Sequence, residues 1–157
     1  MSSTFENGEK EKEVTPEALL ERLKNAKWPV HFSDLFENLS HLILRVINKS
    51  DADVATKIQA TLYMGQLSGR FYVLLDAYEV AEYYDLFEDD LHYAVEDVLK
   101  KLIEVYAYLK KGGSLKNAID MISWASLSAQ HRVKEYMYHL AEMIEDLSRP
   151  DPWSYHI

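Results

Sequence analysis

The chain predicts an all-α, up-and-down helical bundle of about five helices, three of them long, behind a disordered N-terminal arm. Apolar residues recur at spacings of three and four, the period of a helix, with no sustained alternation of a strand. Breaks of the kind that end and restart helices, "WPV", "NKSDAD" and "GGS", fall at helix-length intervals. No proline interrupts the stretch from Asp53 to Tyr84, long enough for a single extended helix.

The elements come in this order. Residues 1–14 are polar, rich in Glu and Lys, and aperiodic, the composition of a disordered arm. Thr15 and Pro16 then offer an N-cap and a first helical residue, with Leu19, Leu20 and Leu23 as an apolar face, and Pro29 disfavours helix at Trp28. A second helix is expected from about Asp34 to Asn48 on the stripe Leu35, Leu39, Leu42, Ile43 and Val46, with Ser50 or Asp51 capping the next helix. The third is expected over Asp53–Tyr84, its stripe read as Val54, Ile58, Leu62, Leu67, Phe71, Leu74 and Leu75, with a bend allowed at Gly65 or Gly69. A fourth, from about Leu86 to Lys111, stops at Gly112 and Gly113, and Ser114 caps a fifth running to about Leu147. The domain is thus placed at residues 15–148, with an irregular aromatic tail over 149–157. Short turns make sequential helices antiparallel, so the third and fifth run together. Small residues in "YMGQLSG" and "WASLSA" predict a close contact of Gly65 and Ser68 with Ala125 and Ser126.

Composition narrows the function. The 157 residues suit one domain with a sizeable core. There is no Cys, which excludes disulfides, thiolate metal sites and cysteine nucleophiles. Neither a signal-peptide core nor an apolar run near the ~20 residues of a membrane span is present, so a cytoplasmic protein without a membrane partner is expected. A net charge of −9 argues against a broad nucleic-acid footprint. Eleven Tyr against five Phe favours aromatics at a core rim or an interface.

The segment DLFExxxH occurs twice, at Asp34–His41 and Asp85–His92. Asp with Glu three residues later has capping-box spacing, so each copy reads as a helix start. The topology collects acids at one end, among them Glu79, Glu82, Asp85, Glu88, Asp89, Glu142 and Glu145, and cations at the other, among them Arg45, Lys49, Lys57, Lys110 and Lys116. Glu79, Glu82, Glu142 and Glu145 stand near helix finishes, where the dipole opposes them. The alternative to a solvated acidic end is a divalent-cation site built from Glu79, Glu82, Glu88, His92, Glu142 and Glu145, carboxylates being ligands for Mg²⁺ or Mn²⁺. Glu79-x-x-Glu82 with Glu82-x-x-Asp85 resembles the ExxE and ExxD elements of all-α nucleoside triphosphate pyrophosphohydrolases of the MazG type, but here the two elements overlap. That resemblance implies a metal-dependent nucleotide phosphohydrolase. Asp89-x-x-His92 echoes, with Asp for Glu, the inward Glu-x-x-His pairs of di-iron bundles.

Arg132 and His139 share a face of the fifth helix. Their spacing resembles the R-x4–6-H signature of HEPN ribonucleases, which implies Arg132 holding phosphate and His139 moving a proton. No P-loop, Rossmann glycine pattern, nucleophile elbow or zinc spacing is present. The leading expectation is a non-catalytic interaction subunit or adaptor of a larger intracellular complex. It needs no cofactor, binds a protein partner or a further copy of itself, and uses Trp153, Tyr155 and Ile157 as anchors.

Overall fold

The structure, a computed structural model, describes residues 14–148. The polar arm through residue 13 and the tail from residue 149, with Trp153, Tyr155 and Ile157, lie outside the described residues. Five helices make up the described chain: α1 Pro16–Asn25, α2 Pro29–Lys49, α3 Val54–Tyr84, α4 Glu88–Lys110 and α5 Leu115–Ser148. Among the described residues there is no strand, and no helix is long and apolar enough to cross a membrane. The fold is the expected all-α bundle.

Several helix ends obey local rules. Thr15 Oγ1 accepts from the Ala18 amide at 3.1 Å, Asp53 Oδ1 from the Thr56 amide at 2.7 Å, and Ser114 Oγ from the Asn117 amide at 3.1 Å. Ser50 does not cap α3; it closes α2, its hydroxyl donating to the Ile47 carbonyl at 2.9 Å. Gly112 takes φ +87° in the α4–α5 turn, and a Cβ on Gly113 would run into the Tyr108 ring.

The two DLFE copies do different jobs, and neither is the expected cap. Proline at N1 has a preset φ and no amide to leave unbonded, so α2 begins at Pro29 and Asp34 sits inside it. Asp85 ends α3 instead, in the left-handed conformation (φ 55°), with the Leu86 amide closing back on the Ala81 carbonyl at 2.9 Å. Phe87, also left-handed (φ 56°), then precedes α4, which starts at Glu88 rather than Leu86.

Helix α4 is the centre of the bundle and packs against all four others. Its buried residues, from Leu91 through Val95, Val98, Leu102 and Tyr106 to Leu109, go well round the helix. The Tyr106 hydroxyl donates to the Val14 carbonyl at 2.9 Å and ties down the start of the fold. Phe36 of α2 stacks on Phe71 of α3, with ring centroids 4.1 Å apart. Helix α5 lies along α3 and α4, and the Tyr136 hydroxyl donates to the Asp90 carbonyl at 2.7 Å, fixing the level at which α5 passes the start of α4. The twelve residues after Tyr136, 137–148, carry α5 roughly 18 Å past that level.

The close approach to α5 expected of Gly65 is not there. Gly65 and Gly69 face outward, and a Cβ on either would meet nothing within 4 Å. Ser126 is instead fully buried and accepts from Arg70 Nη1 at 2.6 Å. The phase of α3 is the reason. Its buried side is Ala60, Met64, Leu67, Phe71, Leu74, Leu75, Tyr78 and Ala81, whereas Val54, Ile58 and Leu62, expected in the core, are exposed. From Leu62 to Leu67 is a step of five, which at 3.6 residues per turn swings the position by ~140° to the other side.

Candidate interaction surface and polar constellations

Helix α3 is apolar on two sides. Opposite its core face runs an outward stripe of Val54, Ile58, Leu62, Gly65, Gly69, Val73 and Val80, spaced by three, four or seven residues and interrupted before Val80 by the exposed Asp76. Val54 is 71% exposed, Leu62 69% and Val80 59%. Such a stripe raises the solubility cost of the fold and does nothing for its core. The two glycines add to that cost, since each interior Gly lowers helix stability by roughly 1 kcal/mol against Ala.

A second apolar surface lies at the acidic end. Tyr83 and Tyr84 are exposed and meet edge to face at 4.8 Å, beside Leu86 and Phe87 in the turn. Past Tyr136, α5 exposes Met137, Tyr138 and Leu140. Acids gather around the α3–α4 turn. Glu88 keeps its carboxyl above the usual carboxylate range through loss of solvent and through Asp85, Asp89 and Glu82 beside it.

Of the residues considered as metal ligands, His92 has other work. Tyr78, buried, donates its hydroxyl to the Lys27 carbonyl at 3.2 Å and meets His92 Nδ1 at 3.0 Å. With that proton on Lys27, Nδ1–H is the donor to Tyr78. His92 Nε2 lies 3.4 Å from Glu96, and Phe32 sets its edge on both rings. Glu96, His92 and Tyr78 look like a carboxylate–imidazole–hydroxyl relay. The hydroxyl is nevertheless sealed from substrate, and burial together with Glu82, Glu88 and Asp89 pushes its pKa up to about 12. The constellation joins the α1–α2 link, α2, α3 and α4 and serves the fold.

Glu79 is exposed on α3, Glu82 half-buried, and Glu142 and Glu145 lie on α5 beyond the level of the Tyr136–Asp90 hydrogen bond. Among the described residues, no three of His, Asp and Glu come together as a metal-binding group. The other pair is also separated by its environment. The Arg132 guanidinium lies over the Tyr93 ring, 4.8 Å from its centroid, while His139 is exposed, its Nε2 4.0 Å from Glu135. A cleft of about 840 Å³ is at the opposite end of the bundle, where Arg45, Lys49, Lys110 and Lys116 surround an apolar floor.

The outward stripe of α3 is the feature that sequence reasoning misassigned to the core. Its signal was the five-residue step at Leu62–Leu67, which splits the apolar residues of α3 into two phases. Compared with family models, with curated proteins and with solved structures, the chain matches none.

Proposed function

We propose that the protein is a non-catalytic interaction subunit, a helical adaptor that docks other protein surface through the outward side of α3. The supporting observation is the exposed apolar stripe Val54–Val80, on a helix whose opposite side is already committed to the core. A solvated helix side carries polar residues; an apolar one on a folded domain marks contact with another protein. The aromatic turn at Tyr83 and Tyr84 extends the same helix's exposed surface with residue types that anchor interfaces. Arg132 and His139 supply no comparable support for hydrolysis, since Arg132 is occupied by Tyr93.

Affinity capture from the native cell tests the reading. Wild-type protein is expected to retain a stoichiometric protein, whether a different chain or further copies of itself. Leu62→Glu and Val73→Glu, which alter exposed positions, should lose it, whereas Arg132→Ala and His139→Ala should keep it. Capture that is indifferent to the α3 variants, or RNA or nucleotide hydrolysis abolished by Arg132→Ala, would overturn it.

A further inference from the structure

We infer that the outward stripe of α3 receives a second copy of the chain, with the two α3 helices antiparallel about a two-fold axis at the level of Leu67. The inference rests on the interaction reading and names the partner.

The stripe is self-complementary, as a two-fold interface must be. Antiparallel pairing centred on Leu67 sets Val54 opposite Val80, Leu62 opposite Tyr72, and Gly65 opposite Gly69, with the exposed Asp76 beside Ile58 the one charged residue in the row. The glycines then meet at the axis, where backbones approach most closely and a side chain would hold them apart. This gives a reason for two exposed glycines in the middle of the longest apolar side: within one copy nothing occupies the space above either of them. Bulkier residues flank the axis on both sides and fill the space as the helices diverge.

Charge selects the direction. The first turn of α3 and the neighbouring helix ends carry Lys57, Lys49 and Lys116, while its last turns carry Asp76, Glu79 and Glu82, joined by Asp85 and Glu88. Antiparallel copies lay the acidic end of each α3 beside the partner copy's cationic end, where Lys49 and Lys116 are exposed. Parallel copies would stack the acidic ends on each other, a group already crowded enough to hold Glu88 protonated at higher pH than usual.

Size sets the strength. The 31 residues of α3 span about 46 Å, and a strip about 10 Å wide covers on the order of 460 Å² per copy, about 900 Å² for the pair. That is below the ~1,200 Å² of a standard stable interface. The dimer therefore forms reversibly, at micromolar concentrations and above.

Sedimentation equilibrium of the full chain from about 1 to about 500 μM, in about 50 mM and about 500 mM salt, tests this. Expected are a monomer–dimer equilibrium that weakens as salt rises, and at least about tenfold weaker association in Gly69→Leu. Because the space above Gly69 is open in one copy, that variant should keep its helical circular dichroism and melt no lower than wild type under monomeric conditions. Should it misfold, Val73→Gln on the same stripe replaces it, with the same loss expected. A chain monomeric throughout, a dimer indifferent to these substitutions, or one strengthened by salt overturns the inference. A monomer that nevertheless captures a different protein through α3 sinks the homodimer and leaves the interaction reading standing; a monomer that captures nothing sinks both.

Discussion

Single residues decide more here by their partners than by their type. Tyr78 is the clearest case. Folded, its phenol stays neutral up to a pH of about 12, while in the unfolded chain it ionises near the ordinary tyrosine value of 10.0. A folded pKa raised above the unfolded one gives stability that is complete below pH 10 and is lost between there and about 12, worth about 2–3 kcal/mol. Urea titrations across that range should show the fall, and Tyr78→Phe should lack this part of it. At neutral pH the same variant should cost about 1–3 kcal/mol, because the Lys27 carbonyl and His92 lose their partner. Ser40 is the converse. Its buried hydroxyl has no hydrogen-bond partner among the described residues, so Ser40→Ala should stabilise by about 1 kcal/mol in the same titration. Side-chain caps were readable at this scale: Thr15 and Ser114 cap as their positions imply, each needing only its own first turn. The burial of Tyr78 was not readable, since it depends on residues from three other segments.

Elements obey local signals until two such signals compete. In "WPVHFSD", both Pro29 and Asp34 can open a helix, and the proline prevails because the apolar residues Phe32, Leu35 and Phe36 are then all on the buried side of one continuous helix. In "YYDLFED", an acid that looks like an N-cap closes the preceding helix in a left-handed conformation that suits glycine better. The two DLFE segments therefore call for different substitutions, and neither should lose stability. Asp34→Ala, at a mid-helix position that caps nothing, should leave stability unchanged or slightly raised. Asp85→Gly should raise it by about 1 kcal/mol by relieving the left-handed backbone. Thermal melts of both variants check this; a loss of stability in Asp85→Gly would show that its carboxylate does more than end α3. Helix α3 itself was legible in extent from Asp53 to Tyr84 but not in rotation. A helix that is apolar on both sides has no single amphipathic direction, and only its neighbours decide which side is core.

For the whole molecule, the pattern is a central helix with the others arranged round it and unequal in how much they bury. The order of helices along the chain made the bundle and its two charged ends legible, because short turns leave few ways to connect five helices. It did not reveal the relative lengths in register. Helix α5, with 34 residues, is antiparallel to α4, with 23, and starts at the end where α4 finishes, so it must overshoot. The carboxylates Glu142 and Glu145 are carried with it, which is why an acidic group legible as one end of the bundle is in fact spread along the axis. Local stability should track the same gradient. Amides of α4 between Leu91 and Leu109, on the helix packed by all four others, should exchange with solvent only through global unfolding. Those of α5 beyond Tyr136, where Met137, Tyr138 and Leu140 are exposed, should exchange through local fraying. Hydrogen exchange measured by mass spectrometry or NMR resolves the two classes, and the boundary is expected within a turn of Tyr136, at the level of its hydrogen bond to Asp90. Protection of the last turns of α5 equal to that of α4, seen only at concentrations that favour association, would place that length of helix in an interface as well. Equal protection in the dilute monomer would contradict the gradient.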